Sequence, residues 1–177
     1  MKTAYFAGGC FWCTESDLRK ERGVVNVVSG YAGPLGSPTY ENHKGFREAV
    51  EVTYDEKETT YKKLCQFFLD HIDPTDSGGQ FFDRGESYQT AIYFQNNEEK
   101  KVAENLIKEL DESKIYESPV IVKILQFENF YKAEEYHQQY ASKNPGHYEA
   151  YKRGSGREEF QARVCAIRDE KHIPWKD

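Results

Sequence analysis

Ala4-Tyr5-Phe6-Ala7-Gly8-Gly9-Cys10-Phe11-Trp12-Cys13-Thr14-Glu15 is the stretch on which the fold turns. Its apolar start reads as a strand. Two glycines follow, then a polar, helix-compatible segment to about Arg22. Cys10 therefore falls where a strand becomes the first turn of a helix. The free N–H groups of a helix start favour an anion. A thiolate is the reactive form of cysteine, and helix N-termini ease its formation. The glycines permit an unusual backbone and a close approach. Phe11 and Trp12 are bulky for a helix start and point to an apolar floor under a small ligand.

Working outward, residues 3–7 read as a strand and 11–22 as a helix. Val24 to Tyr31 is β-branched and bounded by glycine, so a strand. Residues 32–44 hold Gly33, Pro34, Gly36 and Pro38 and form a loop. Ala49 to Tyr54 alternates as a strand. From Thr60, an N-cap residue, Tyr61, Leu64, Cys65, Phe68, Leu69 and Ile72 recur at helical spacing. Residues 73–87 are a second long loop and 88–94 a strand. Asn96 or Asn97 caps a helix with Glu98 and Glu99 in its first turn. Val120 to Leu125 is a strand and 131–142 a short helix. From 144 onward the chain reads as irregular. This order predicts one α+β domain over residues 1–177, with helices on a mixed sheet, a core over about 3–155 and an irregular C-terminal tail over about 156–177. Two long loops are where sites are expected.

The 177 residues can bury a proper core. A net charge of −6 argues against a nucleic-acid surface. No apolar run reaches membrane length, and no basic stretch leads into an apolar one, so neither a membrane span nor a signal peptide is expected. Four cysteines are too few for a disulfide scaffold, which points to the cytoplasm.

Cys10 and Cys13 form a Cys-x-x-Cys pair, within disulfide reach across a helical turn. Redox chemistry, zinc binding and simple burial are all open to it. Zinc needs further ligands, and the nearest are Cys65 and His71. Cys65 lies on an apolar helical face and reads as a buried hydrophobe. Cys165 reads as a surface thiol or a late redox partner. Glu48 stands where a loop enters a strand. It is either a solvated strand-end carboxylate or, if buried, a proton donor near neutral pH. Tyr40, Asp83 and Tyr88 lie in or beside the two long loops. Loop tyrosines often only pack, but a phenol is also a hydrogen-bond donor. Residues 134–140 look like an ordinary polar helix, with His137 as a structural histidine.

At these residues a resemblance becomes plain. Gly-Gly-Cys-Phe-Trp with Glu15 resembles the signature of the A-type peptide methionine sulfoxide reductases. Ser29-Gly30-Tyr31-Ala32-Gly33, Pro38-Thr39-Tyr40, Glu48-Ala49-Val50, His71-Ile72-Asp73-Pro74-Thr75, Asp83-x-Gly85-x-x-Tyr88, Tyr136-His137-Gln138-Gln139-Tyr140 and Lys143-Asn144-Pro145 follow in the family's order. The match covers roughly residues 3–155. It implies a two-layer, ferredoxin-like plait and reduction of methionine (S)-S-oxide, free or in proteins, as oxidative-damage repair. It further implies Cys10 as nucleophile, Glu48 as proton donor, Tyr40 and Tyr88 as holders of the sulfoxide oxygen, and Phe11 and Trp12 as the seat of the methyl group. Asp83, Tyr140 and Tyr148 match positions lining the same pocket. No bound cofactor or metal is expected; thioredoxin or another dithiol would supply electrons.

The chain departs from part of the family in two places. Many relatives carry a resolving cysteine where Glu149 follows Tyr148, and Gly where Cys13 stands. Cys13 is therefore expected to resolve a Cys10 sulfenic acid, with Cys165 on a mobile tail as its rival. Ser87 stands where Gln is usual. A thioredoxin-like disulfide oxidoreductase is the alternative that a strand–Cys-x-x-Cys–helix unit suggests. A zinc-binding interaction module is a further one.

Overall fold

A computed structural model describes residues 1–171 and Trp175. Its centre is a six-stranded mixed sheet. The strands of that sheet are β1 (Lys2–Ala7), β2 (Val24–Gly33), β3 (Arg47–Tyr54), β6 (Ala91–Phe94), β7 (Lys123–Gln126) and β8 (Asn129–Lys132), in the order β7-β6-β1-β3-β2-β8. All neighbours are antiparallel except β6 and β7. β4 (Gly79–Gln80) and β5 (Asp83–Arg84) form a separate small ribbon in the second long loop.

The connection from β7 to β8 explains the shape of the sheet. These are its two edge strands, yet only Phe127 and Glu128 separate them. Three peptide units reach about 10 Å, so the sheet curls until its edges nearly meet. The crossing segment covers the inside of the curl, where Phe127 stacks on Tyr5 at 3.9 Å. Tyr5, Ala7, Ala32, Ala49, Ala91 and Tyr93 line that face. Small residues there let the curl close.

The other face follows from strand alternation. Ala4 and Phe6 of β1, Val50, Val52 and Tyr54 of β3, and Ile92 of β6 point to the helices. Against them pack α1 (Phe11–Leu18), α2 (Tyr61–Asp70) and α3 (Asn97–Glu112). Thr60 Oγ1 accepts from Lys63 N at 3.2 Å and Asn96 Oδ1 from Glu99 N at 2.9 Å, so both expected N-caps form. Phe6 and Phe68 meet at 5.0 Å. Each such buried aromatic contributes roughly 1.5–3 kcal/mol. Cys65 is fully buried there, as its helical face predicts.

Four expectations need correction. Residues 131–142 are not one helix. They comprise the end of β8, a 3₁₀ turn at Glu135–His137 and the single turn of α4 (Tyr140–Lys143). Residues from 144 are not irregular: α5 (Pro145–Gly154) and α6 (Arg157–Lys171) occupy them. Pro145 opens α5 at a first-turn position, where its missing N–H loses nothing. Val164 is buried, and Phe160 and Ile167 pack beside it against the core. The expected tail is thus helical and docked as far as 171; residues 172–174, 176 and 177 lie outside the described residues. The strand expected at 88–94 begins at Ala91, because Glu86–Tyr88 forms a 3₁₀ turn, and α1 ends at Leu18, short of Arg22. No helix among the described residues is long and apolar enough to cross a membrane.

Candidate active site

The site is built on the turn between β1 and α1. Gly9 adopts φ +81°, and a Cβ there would lie 2.5 Å from Gln80 Cβ, so only glycine fits. Cys10 follows as the N-cap of α1, without a side-chain cap of its own. The first helical amide, Phe11 N, instead donates to Glu48 Oε2 at 3.1 Å. Glu48 comes from β3, on the same row as Val50 and Val52, so a carboxyl group lies on the sheet's apolar face. It is 2% exposed. Burial raises its pKa to about 8, although the Phe11 amide and the Tyr88 hydroxyl pull the other way. Glu48 is thus a neutral acid at pH 7, and a solvated strand-end carboxylate is excluded.

Cys10 and Cys13 are both free and both buried, and their thiols act on one another as hydrogen-bond partners and as charges. The pair titrates as a unit. The Cys10 interaction and the positive charge of Arg157 bring Cys13 down to about 7 against the effect of burial. Burial first, then Cys13 and Glu48, push Cys10 upward. Cys13 is thus the lower of the two, and a second buried charge beside the first is disfavoured.

Tyr40 and Tyr88 face this group from the two long loops. Burial comes first in raising the pKa of each phenol, with Glu48, Cys10 and Asp83 adding to it. Both are therefore hydrogen-bond donors at neutral pH. Asp83 accepts a hydrogen bond from Tyr151 Oη, and burial raises its own pKa. Phe11 is buried; Trp12 is partly exposed and stacks on Tyr140 at 3.8 Å and 8°. Tyr148 packs against Cys10 and Cys13, with its hydroxyl facing Cys13. Every residue anticipated for the site thus lies in one neighbourhood. Ser87 borders it from outside, in an open groove of about 340 Å³ with Glu41, His43 and Lys44.

Several neighbours were not anticipated as site residues. His137 is fully buried, and its Nδ1 accepts from Trp12 Nε1 at 3.1 Å, so its proton is on Nε2. Burial lowers its pKa and keeps it neutral. Glu134 accepts from Tyr31 Oη at 2.9 Å and from the Tyr40 amide at 2.8 Å, tying the first loop to this wall. Tyr151 meets the Trp12 ring edge-on at 6.2 Å. Tyr151 and Arg157 come from the segment that sequence patterning left irregular. The spacing of Phe160, Val164 and Ile167 was the signal that could have placed it. Cys165 is exposed on α6. His71 packs against Phe67 and binds its carbonyl oxygen, away from Cys65 chemistry. Among the described residues no group of three or more His, Cys, Asp or Glu side chains could hold a metal ion.

A buried dithiol at a helix start, beside a carboxyl kept neutral and two phenols, defines a cysteine-dependent oxidoreductase site. The family model for peptide methionine sulfoxide reductase matches residues 2–168. The peptide methionine sulfoxide reductase MsrA of Bacillus velezensis is 49% identical over 162 residues, covering 89% of this chain and 92% of that protein. The MsrA of Bacillus subtilis is 47% identical over the same shares. Among solved structures, the reduced form of Mxr1 from Saccharomyces cerevisiae superposes with a TM-score of 0.75 at 32% identity, covering 82% of this chain and 86% of that one. Methionine sulfoxide reductase A of Corynebacterium diphtheriae gives 0.71 at 29% identity, covering 81% and 75%. The chain belongs to the peptide methionine sulfoxide reductase family, and it is an enzyme.

Proposed function

We propose that this enzyme reduces methionine (S)-S-oxide, free or in proteins, to methionine, and so repairs oxidised proteins. The observation that carries this reading is Glu48, a carboxyl group held neutral at pH 7 within the shell of Cys10. Sulfoxide oxygen leaves only when protonated. Cys10 passes its proton to the Cys13 thiolate and attacks the sulfoxide sulfur. Glu48 gives its proton to the oxygen, which the Tyr40 and Tyr88 hydroxyls hold. Phe11 and Trp12 receive the methyl group, with Asp83, Tyr140 and Tyr148 lining the pocket. The epimer follows, since exchanging methyl and oxygen would bury the oxygen without partners. Methionine departs and Cys10 keeps the oxygen as a sulfenic acid.

Cys13 then resolves that sulfenic acid as a Cys10–Cys13 disulfide, with loss of water. Its support is contact with Cys10 within one helical turn, whereas Cys165 sits outward on the docked helix α6. Thioredoxin or another dithiol reduces the disulfide by exchange. No bound cofactor enters this cycle, and nucleic acid and membrane have no part in it. We place the enzyme in the cytoplasm and read residues 1–177 as one domain. Its four-strand core, in the order β6-β1-β3-β2 with α1 and α2 as crossovers, supports a ferredoxin-like plait extended by β7 and β8.

The test is an epimer-resolved assay with a methionine sulfoxide peptide and thioredoxin. Cys10→Ser abolishes turnover. Cys13→Ser gives about one methionine per enzyme and then stops, one thiol delivering one turnover. Full activity without Cys10 would refute the mechanism; normal recycling without Cys13 would refute the resolving step.

A further inference from the structure

Arg157 opens α6. Its side chain is 1% exposed, yet no carboxylate among the described residues pairs with it. Nη2 donates to Gly8 O at 3.2 Å and Nη1 to His71 O at 3.2 Å. The guanidinium lies over the Phe81 ring at 4.7 Å. All these partners are neutral. Burying a cation costs several kcal/mol unless an anion compensates it. Asp17 is nearby, but its carboxylate already takes Lys152 at 3.2 Å and Lys20 at 3.7 Å. The unclaimed anion is the dithiol. Gly8, whose carbonyl holds the guanidinium, is two residues from Cys10, and Cys13 and Cys10 are the strongest favourable charges acting on Arg157.

We propose that Arg157 is a positioning residue of the redox pair: its buried guanidinium fixes the pair's single negative charge on Cys13. This rests on the reading of Cys10 and Cys13 as the redox-active thiols. Besides Arg157, the groups that face the pair are Asp17 on α1, Glu48 on β3, Asp83 on β5, Tyr148 and Tyr151 on α5, and Tyr40 and Tyr88 from the two long loops. Among these described groups Arg157 is the cation.

Two steps follow. In the resolving step Cys13 gives up the proton it took from Cys10, and its thiolate attacks the sulfur of the Cys10 sulfenic acid. The S–S bond forms, the S–O bond breaks, and hydroxide leaves as water with that proton. In the recycling step a dithiol's thiolate attacks one sulfur and the other departs with the electron pair. The better leaving group is the thiol of lower pKa. Cys13 is 0% exposed and Cys10 4%. Access and leaving-group chemistry therefore agree: the reductant binds Cys10, and Cys13 leaves as a thiolate beside Arg157. The second thiol of the reductant then attacks the reductant's own sulfur in that mixed disulfide, closing its internal disulfide while Cys10 leaves with the electron pair.

The test is thiolate absorbance against pH in the Cys10→Ser chain, where Cys13 is the only thiol of the pair. The expected midpoint lies below the ordinary thiol value, and adding Arg157→Gln should raise it by about one to two pH units. Arg157→Lys, which keeps the charge, should fall between. In the wild-type background, Arg157→Gln should slow Cys10–Cys13 disulfide formation on a sulfoxide peptide about tenfold at pH 7 and recover at pH 9, which a merely structural lesion would not do. A folded Arg157→Gln chain with an unmoved midpoint overturns the proposal. If that chain does not fold, a Cys13 midpoint at the ordinary thiol value of about 8.5 in Cys10→Ser overturns it equally. A chain that reduces no sulfoxide, but whose midpoint moves with Arg157, supports the positioning role and defeats only the reductase reading.

Discussion

Helix α1 has a buried carboxyl group on each flank, and the two are chemical opposites. On one flank Glu48 is 2% exposed, receives the Phe11 amide and the influence of Tyr88, and pairs with no cation among the described residues. On the other, Glu15 is 1% exposed but heavily engaged. It accepts from Ser29 Oγ at 3.1 Å, from the Gln139 amide at 3.0 Å and from Arg19 Nε at 3.2 Å. Burial alone therefore does not decide what a carboxyl group does. Donor supply does: a well-supplied carboxylate holds structure, and an undersupplied one keeps its proton and can give it away.

The largest expected effect separates the two functions. Glu48→Gln keeps the acceptor for Phe11 N and removes the proton. Reductase activity should fall roughly 10²–10⁴-fold, the range for a lost general acid. Stability should not fall with it. The native pKa of about 8 lies above the ordinary carboxyl value of 4.5. Between those values the native state holds a proton that the unfolded chain has released, so this group makes stability decline as pH rises from about 5 to 8 and adds no further slope above that. Denaturant titrations across that range should show the decline flattened in Glu48→Gln. Activity of the wild type should rise through pH 7 with the Cys13 thiolate and fall above 8 as Glu48 ionises. An unchanged alkaline limb in Glu48→Gln would dissolve the contrast between the flanks.

Glu15→Ala should reverse the balance. It strands the Gln139 amide and Ser29 hydroxyl and leaves Arg19 Nε without its carboxylate. The expected loss is about 3 kcal/mol of stability, read from a denaturant midpoint, with catalysis by the remaining folded fraction within a few-fold of wild type. A specific loss of chemistry at full stability would place Glu15 in the reaction instead.

The same contrast explains what the sequence could reveal. Strand alternation and helical spacing marked β1, β2, β3, α2 and α3, because one apolar face decides each of them. Residue 48 could be read too: extending the alternation of Val50, Val52 and Tyr54 back by one step puts Glu48 on the apolar face. Residues 134–140 could not be read that way. Their polar pattern suits a helix, but the Gln138 side chain bonds the Ser29 backbone at both N and O, at 3.0 and 2.9 Å, and Gln139 takes φ +54° to offer its amide to Glu15. Tertiary partners override local propensity there. Arg157 was hidden for another reason. Arginine is almost never fully buried unless paired, and its compensating charge is a thiolate more than a hundred residues away in the chain.

Trp12 borders both flanks and sharpens the contrast on the substrate side. Its ring lies on Tyr140 and its N–H is fixed by His137. Trp12→Phe loses the N–H anchor and part of the stack, about 0.5–1.5 kcal/mol. KM for a sulfoxide peptide should rise about three- to tenfold while kcat changes less, because a methyl seat binds ground state and transition state alike.

The smallest effect belongs to Cys165. It is exposed on α6, eight residues beyond Arg157, so about 12 Å along the helix axis from it. Val164 is buried and Arg157 is anchored to the Gly8 and His71 carbonyls, so α6 is held at both points. Reaching Cys10 would require Cys165 to undock the helix and pull a buried guanidinium from beside the dithiol. Surface thiols of this kind contribute little to stability, and substitutions there stay within about 0.5 kcal/mol. Cys165→Ser should therefore recycle with thioredoxin within about twofold of wild type, a change of about 0.4 kcal/mol. A Cys165→Ser enzyme that completes one turnover and stalls would mean that α6 detaches during the cycle, and Cys13 would then lose the resolving role to the tail.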